Sequence, residues 1–196
     1  MTIIVLRHAT RKRDDDPATE EYCEKNLPLD TIGQTEAREL GAQLAERGLR
    51  PAVYFTSCFA HAKETGEILR ETVARQPAAK VVQLCALTPH YQGPREWRCS
   101  KEWKGVRILA TIDNESRATG NDLRTFDVVA FVMHFPRLAQ LLGGMTSESE
   151  SQFTLSCSEG VCVEAESFDA FLRGEGKEVG PRFSRSRANP PEHLPR

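Results

Sequence analysis

The chain has 196 residues, of which 39% are hydrophobic and 28% charged, and its formal net charge is -2. This is the balance of one soluble globular domain with a buried core, and a nearly neutral chain is not built for general binding to nucleic acid or an anionic membrane. No apolar run approaches the ~20 residues of a membrane span, and the apolar start is too short, and lacks the preceding cations, for a signal peptide.

In chain order, Ile3 to Leu6 reads as a short buried strand that ends in Arg7-His8. A strand of this kind sets a cation and a nucleophile at the carboxyl edge of a sheet, where open α/β folds bind ligands. The polar stretch Ala9 to Asn26 has no periodicity and reads as a loop. Its Asp14-Asp15-Asp16 run is taken as solvated, because consecutive carboxylates rarely converge on one ion. A helix follows, with Thr31 and Gln34 at capping-box spacing. Ala37, Leu40, Gly41, Leu44 and Ala45 form one apolar stripe, and Gly48 stops the helix.

Val53 to Phe55 is a second strand, leading through Thr56-Ser57 into an amphipathic helix from Phe59 to Ala74. Lys80 to Leu84 is a third strand. The stretch from Pro94 to Asn114 reads as helical in part, with Trp97 and Trp103 supplying apolar surface. Its basic residues at 95, 98, 101, 104 and 107 wind around such a helix and read as a solvated surface. Thr125 to Val132 is a strongly apolar strand that ends in Met133-His134-Phe135-Pro136, and a helix from Arg137 to Leu142 ends at Gly143-Gly144. Gln152 to Cys157 and Val161 to Ala165 read as a β-hairpin. Residues 1–173 are expected to form the folded unit, and residues 174–196, rich in Gly, Pro, Ser and Arg, a disordered tail. Alternation of strands and helices predicts an α/β three-layer sandwich, with a mostly parallel central sheet and helices on both faces. Cysteines at 23, 58, 85, 99, 157 and 162 include no CxxC pair, which suits reduced thiols of a cytoplasmic protein rather than a disulfide frame or a zinc site.

The order of these features carries more information than any one of them. Leu6-Arg7-His8, then Leu29, Gly33 and Ala37 at the head of a helix, then Ser57 with Thr65 downstream, then Leu87-Thr88-Pro89, and last His134-Phe135-Pro136, resembles the histidine phosphatase superfamily, the phosphoglycerate-mutase-like fold. Its small uncapped members, such as phosphohistidine phosphatases, are the nearest in pattern, and the likeness runs from about residue 3 to residue 165. The resemblance implies that His8 becomes phosphorylated, that Arg7 grips the phosphoryl oxygens, and that His134 helps neutralise the transferring group. Arg11 sits where some branches carry a further phosphate-binding arginine. No cofactor and no metal are expected, because cationic side chains do the neutralising.

The departures from the pattern are specific. The glycine that follows the histidine is Ala9 here, and the second arginine is His61. Histidine can donate to phosphate, but its charge near pH 7 depends on its surroundings. An acidic residue common in the family is replaced by Ala86, which leaves His90 as the nearest candidate general acid and Glu96 as a weaker one. The expected function is a phosphatase acting through phosphohistidine on a phosphoprotein or a small phosphorylated metabolite. The alternative is a weak or inactive phosphoryl-binding protein of the same fold. A mutase ranks last, since no capping segment is evident.

Overall fold

In the computed structural model, the residues described are 1–12, 26–73, 79–88 and 105–184. Strand β1 spans Thr2–Arg7 and helix α1 spans Thr31–Glu46. They are followed by β2 (Val53–Thr56), α2 (Ala60–Val73), β3 (Lys80–Gln83), α3 (Gly105–Ala118) and β4 (Val128–Met133). The last elements are α4 (Arg137–Thr146), β5 (Gly160–Glu164), α5 (Phe168–Leu172) and β6 (Lys177–Phe183). The strands form one six-stranded sheet in the order β3-β2-β4-β1-β5-β6. The β2–β3, β2–β4 and β1–β4 pairs are parallel, and β1–β5 and β5–β6 are antiparallel.

Side chains alternate across each strand, and the two faces of the sheet carry separate cores. Ile4, Leu6, Tyr54, Ala130 and Val132 pack with Leu40 and Leu44 of α1 and Leu69 of α2. Ile3, Val5, Phe55, Val129 and Phe131 face the other way, against α3, α4 and α5. The central strands are buried on both faces, which is why they read as continuous apolar runs.

Four local expectations are corrected. The cap of α1 is Asp30, whose carboxylate accepts the Gly33 amide at 2.7 Å, rather than a Thr31–Gln34 box. Helix α4 continues through Gly143-Gly144 to Thr146 and stops at Ser147, whose φ is 58°. Residues 152–157 form no strand, although Phe153 and Leu155 are buried; β5 pairs instead with β1 and with β6. The stretch from residue 174 is not disordered at its start, since β6 occupies Lys177–Phe183 on the sheet edge, a position that tolerates Pro181 and Gly180. Residues 185–196 lie outside the described residues, as do 94–104 of the expected Trp-containing helix.

Gly33 shows how closely α1 approaches the loop after β1. A Cβ built there would run into the Thr10 carbonyl. The Gly33→Ala variant is therefore expected to lose about 1–3 kcal/mol of stability in denaturant unfolding, the range for overpacking a rigid site. A midpoint equal to that of the parent would show that this contact is not tight.

Candidate active site

Parallel pairing of β1 with β4 brings the two strand-end histidines together. Arg7 lies opposite Met133, and the His8 amide donates to the Met133 carbonyl at 3.1 Å. Both strands therefore deliver their next side chains at one edge, and the His8 and His134 ring centroids are 4.6 Å apart. Strand β2 ends beside β4, where the Ser57 amide donates to the Val132 carbonyl at 3.1 Å. The first turn of α2 then carries His61 to 4.3 Å from His8 and 5.0 Å from His134, centroid to centroid. The expected pair is thus a triad of imidazoles, with exposures of only 6%, 0% and 2% for His8, His61 and His134.

Hydrogen bonds assign the ring protons. A peptide carbonyl only accepts, so His8 Nδ1, 2.8 Å from the Ala9 oxygen, carries a hydrogen and leaves the lone pair on Nε2. His61 Nδ1 likewise donates to the Leu27 oxygen at 3.0 Å, and its Nε2 is a buried lone pair with no partner. His134 Nε2 meets Ser57 Oγ at 2.6 Å, and its Nδ1 is buried and unpartnered. The serine hydroxyl can donate or accept, so it serves either tautomer of His134.

Burial, followed by the neighbouring His61, pushes His8 down to about 3 against the upward pull of its bond to Ala9, with smaller downward contributions from Arg7 and Arg11. Burial, with Arg11 beside it, takes His61 down to about 4 despite the bond to Leu27. Burial, then His8, His61 and the two arginines, holds His134 far below the ordinary histidine range. All three rings are therefore neutral near pH 7.

The fixed cations are arginines. Arg7 donates from Nη1 to the Leu155 carbonyl at 2.8 Å, while its Nε is buried without a partner. Arg11 pairs its backbone with Leu29, and its charge acts on all three imidazoles. Among the described residues, the buried side-chain polar atoms without a partner are Arg7 Nε, Thr56 Oγ1, His61 Nε2 and His134 Nδ1. Each belongs to a residue at the carboxyl end of β1, β2 or β4, on the turn that follows, or in the first turn of α2.

Further side chains hold this arrangement. Thr65 Oγ1 accepts the Ala9 amide at 3.1 Å and donates to the His61 carbonyl at 2.7 Å, which joins α2 to the turn after β1. The Phe59 ring lies nearly parallel to His61 at 5.6 Å and edge-on to His134 at 5.1 Å. Glu36 accepts from the Thr10 amide and from the Ser158 hydroxyl, each at 3.0 Å. Glu36 was not singled out in the sequence; its one signal is a carboxylate beside Ala37 on the buried face of α1.

At the expected acid position, Ala86 offers a buried methyl. Its amide donates to the Glu115 carboxylate at 2.9 Å, and its carbonyl accepts from Arg137 Nε at 3.3 Å. This segment borders the site, since the Cys58 amide donates to Thr88 Oγ1 at 3.1 Å and the Cys58 and Cys85 sulfurs are 3.2 Å apart. His90 and Glu96 lie outside the described residues. A cleft of about 720 Å³ at the opposite end of β1 is lined by Glu164, Glu166 and Glu175 with Lys177, a charge balance unsuited to phosphate.

No family model matches the chain, and no curated protein matches it in sequence. Solved structures do match it. The protein histidine phosphatase SixA in complex with tungstate superposes with a TM-score of 0.65 at 18% identity, covering 94% of this chain and 97% of that one. A putative phosphohistidine phosphatase SixA from Agrobacterium tumefaciens gives 0.62 at 14% identity, over 93% and 97%. A mycobacterial glucosyl-3-phosphoglycerate phosphatase complexed with VO3 gives 0.63 at 16% identity, over 93% and 99%. At these identities the likeness is one of fold, and it spans both chains nearly end to end: this chain has the fold of these histidine phosphatase structures.

Proposed function

We propose that the chain is a phosphatase that works through a phosphohistidine intermediate at His8. The observation that carries this reading is the His8 Nε2 lone pair, held by the Ala9 bond and flanked by Arg7 and the buried rings of His134 and His61. In the first step Nε2 attacks phosphorus, the bond from phosphorus to the leaving group breaks, and the leaving group keeps the electron pair and takes its proton from solvent water. In the second step water attacks the phosphohistidine, the P–N bond breaks with its electron pair returning to Nε2, and phosphate leaves while the water's released proton passes to solvent. Arg7 and Arg11 supply fixed positive charge to the equatorial oxygens, so no metal is required for either step.

The tautomer of His61 decides how it takes part. Because Leu27 holds the Nδ1 hydrogen, neutral His61 presents a lone pair to the pocket and cannot donate to an oxyanion. A phosphoryl group brings nearly two negative charges and favours the protonated ring. His61 thus becomes a donor by taking up a proton with the substrate, where an arginine would donate at all times. Ala86 provides no acid for the leaving group, which suits a phosphoramidate such as phosphohistidine in a peptide better than an unactivated ester. The tungstate bound to the SixA structure and the VO3 bound to the mycobacterial phosphatase are oxyanions of the kind this pocket would take.

The substrate is a phosphorylated protein or small molecule, with no role for nucleic acid. The described cysteines form no disulfide, which fits a reducing cytoplasm. No described helix is long and apolar enough to cross a membrane.

Incubation with a phosphohistidine peptide and with a chromogenic phosphate ester, beside His8→Ala, tests the reading. Turnover is expected to be faster on the peptide and to fall by at least about a thousandfold in the variant, as when a nucleophile is removed. Phosphate binding without turnover on either substrate would favour the phosphoryl-binding protein, the reading that neutral His61 and Ala86 support. Replacing His61 by Arg restores a permanent donor and is expected to raise kcat/KM; an unchanged value would take His61 out of the anion site.

A pH series checks the proton uptake. Sulfate stays dianionic across the range, and free His61 titrates at about 4. Binding that raises this value takes up a proton at any pH between the free and bound values, so affinity increases as pH falls. The limit is about tenfold per pH unit for one proton. Sulfate affinity is expected to strengthen from pH 7 to pH 5 in the parent and to lose most of that slope in His61→Gln. Equal slopes would mean that the proton goes elsewhere.

A further inference from the structure

We propose that His8, His61 and His134 together form a binding site for one Zn2+ ion, and that the ion occupies the His8 nitrogen that would otherwise attack phosphorus. One ring nitrogen from each residue can be chosen so that all lie within 4.8 Å of one another. Three nitrogens on a tetrahedral zinc at ~2.0–2.1 Å would stand about 3.3 Å apart, so the rings must draw closer together to hold the ion.

The hydrogen bonds already select ligand tautomers. His8 and His61 each give their Nδ1 hydrogen to a backbone carbonyl, of Ala9 and of Leu27, and keep the lone pair on Nε2. His134 presents an unpartnered Nδ1, and Ser57 Oγ is placed to accept its Nε2 hydrogen. Metal-bound histidines are oriented in this way, with the far nitrogen tied to a carbonyl or hydroxyl. His61 is the residue that makes the difference. An arginine there could only donate, whereas this imidazole adds the third lone pair and leaves its Nε2 buried without a partner.

Arg7 and Arg11 oppose a bare dication. Their charges act on the same rings, so the ion requires an anion such as hydroxide or chloride in its fourth position. A three-histidine set with one open position is a familiar form of zinc site. Cys58 and Cys85 are the competing ligands nearby, with sulfurs 3.2 Å apart, and the test separates them from the histidines. That zinc blocks turnover rests on the phosphatase reading; that zinc binds does not.

The experiment uses the untagged, full chain after treatment with a chelator. Calorimetry with Zn2+ is expected to give one ion per chain. Co2+ is expected to give the visible bands of a four-coordinate ion without a thiolate charge-transfer band, and to be displaced by Zn2+. His61→Gln is expected to weaken Zn2+ binding by about a hundredfold or more, beyond the loss from a disturbed outer partner. Cys58→Ser with Cys85→Ser is expected to keep the wild-type affinity. Absence of stoichiometric binding, a thiolate band on Co2+, or loss of binding in the cysteine variant alone would overturn the proposal. The cobalt spectrum of the unaltered protein decides the ligand set even if a variant misfolds.

Stoichiometric Zn2+ is also expected to stop turnover, and a chelator to restore it. Stimulation by Zn2+ would overturn the blocking role. Zinc bound at one per chain with no turnover under any condition would leave the site standing and remove the phosphatase reading. Turnover with no zinc bound would do the reverse.

Discussion

Everything in the pocket follows from the register of one parallel strand pair. With Arg7 opposite Met133, β1 and β4 end level, and the residues that follow them leave the sheet as neighbours. A slip by one residue would turn Leu6 and Val132 out of the core and swing the side chains beyond the strand ends to the other face. The burial of Ile4, Leu6, Ala130 and Val132 on one side and Ile3, Val5, Val129 and Phe131 on the other prohibits that slip. The chemistry is positioned, in effect, by the pleat of the apolar strands behind it.

The second constraint is where the ring hydrogens go. Two carbonyls apart in sequence, those of Ala9 and Leu27, each hold an imidazole in the tautomer that leaves the lone pair on Nε2. Desolvation then keeps both rings neutral. The free nitrogens of these rings are lone pairs while neutral and become donors only after gaining protons, beside the permanent donors of Arg7.

The strand ends were legible because the information is local: an apolar, β-branched run that stops at Arg7-His8 or Met133-His134 needs no distant partner to be read. The parallel order likewise follows from alternating elements. The antiparallel edge was not legible. The Lys177–Phe183 strand contains Gly180 and Pro181, residues that signal loops, and it is a strand only because the free side of β5 is there to pair with it. The alternation of Phe153 and Leu155 is genuine, yet it reports burial beneath the sheet rather than pairing, and the Leu155 carbonyl serves Arg7 instead of a ladder. Residue His61 could be aligned with a lost arginine. Its tautomer could not be inferred, because the acceptor sits 34 residues earlier in the chain. Glu36 went unnoticed for the same reason: its bonds to Thr10 and Ser158 reach across the fold.

The bond from Arg7 to Leu155 has a consequence for recognition. A long, mobile side chain normally surrenders rotamer freedom worth up to ~2 kcal/mol when it grips a ligand. Here one arm of the fork is already tethered to the main chain, and the unoccupied Nε is stationary before anything arrives. The entropy was lost during folding, so an incoming anion meets a rigid receptor and forfeits less of its own binding energy to ordering it.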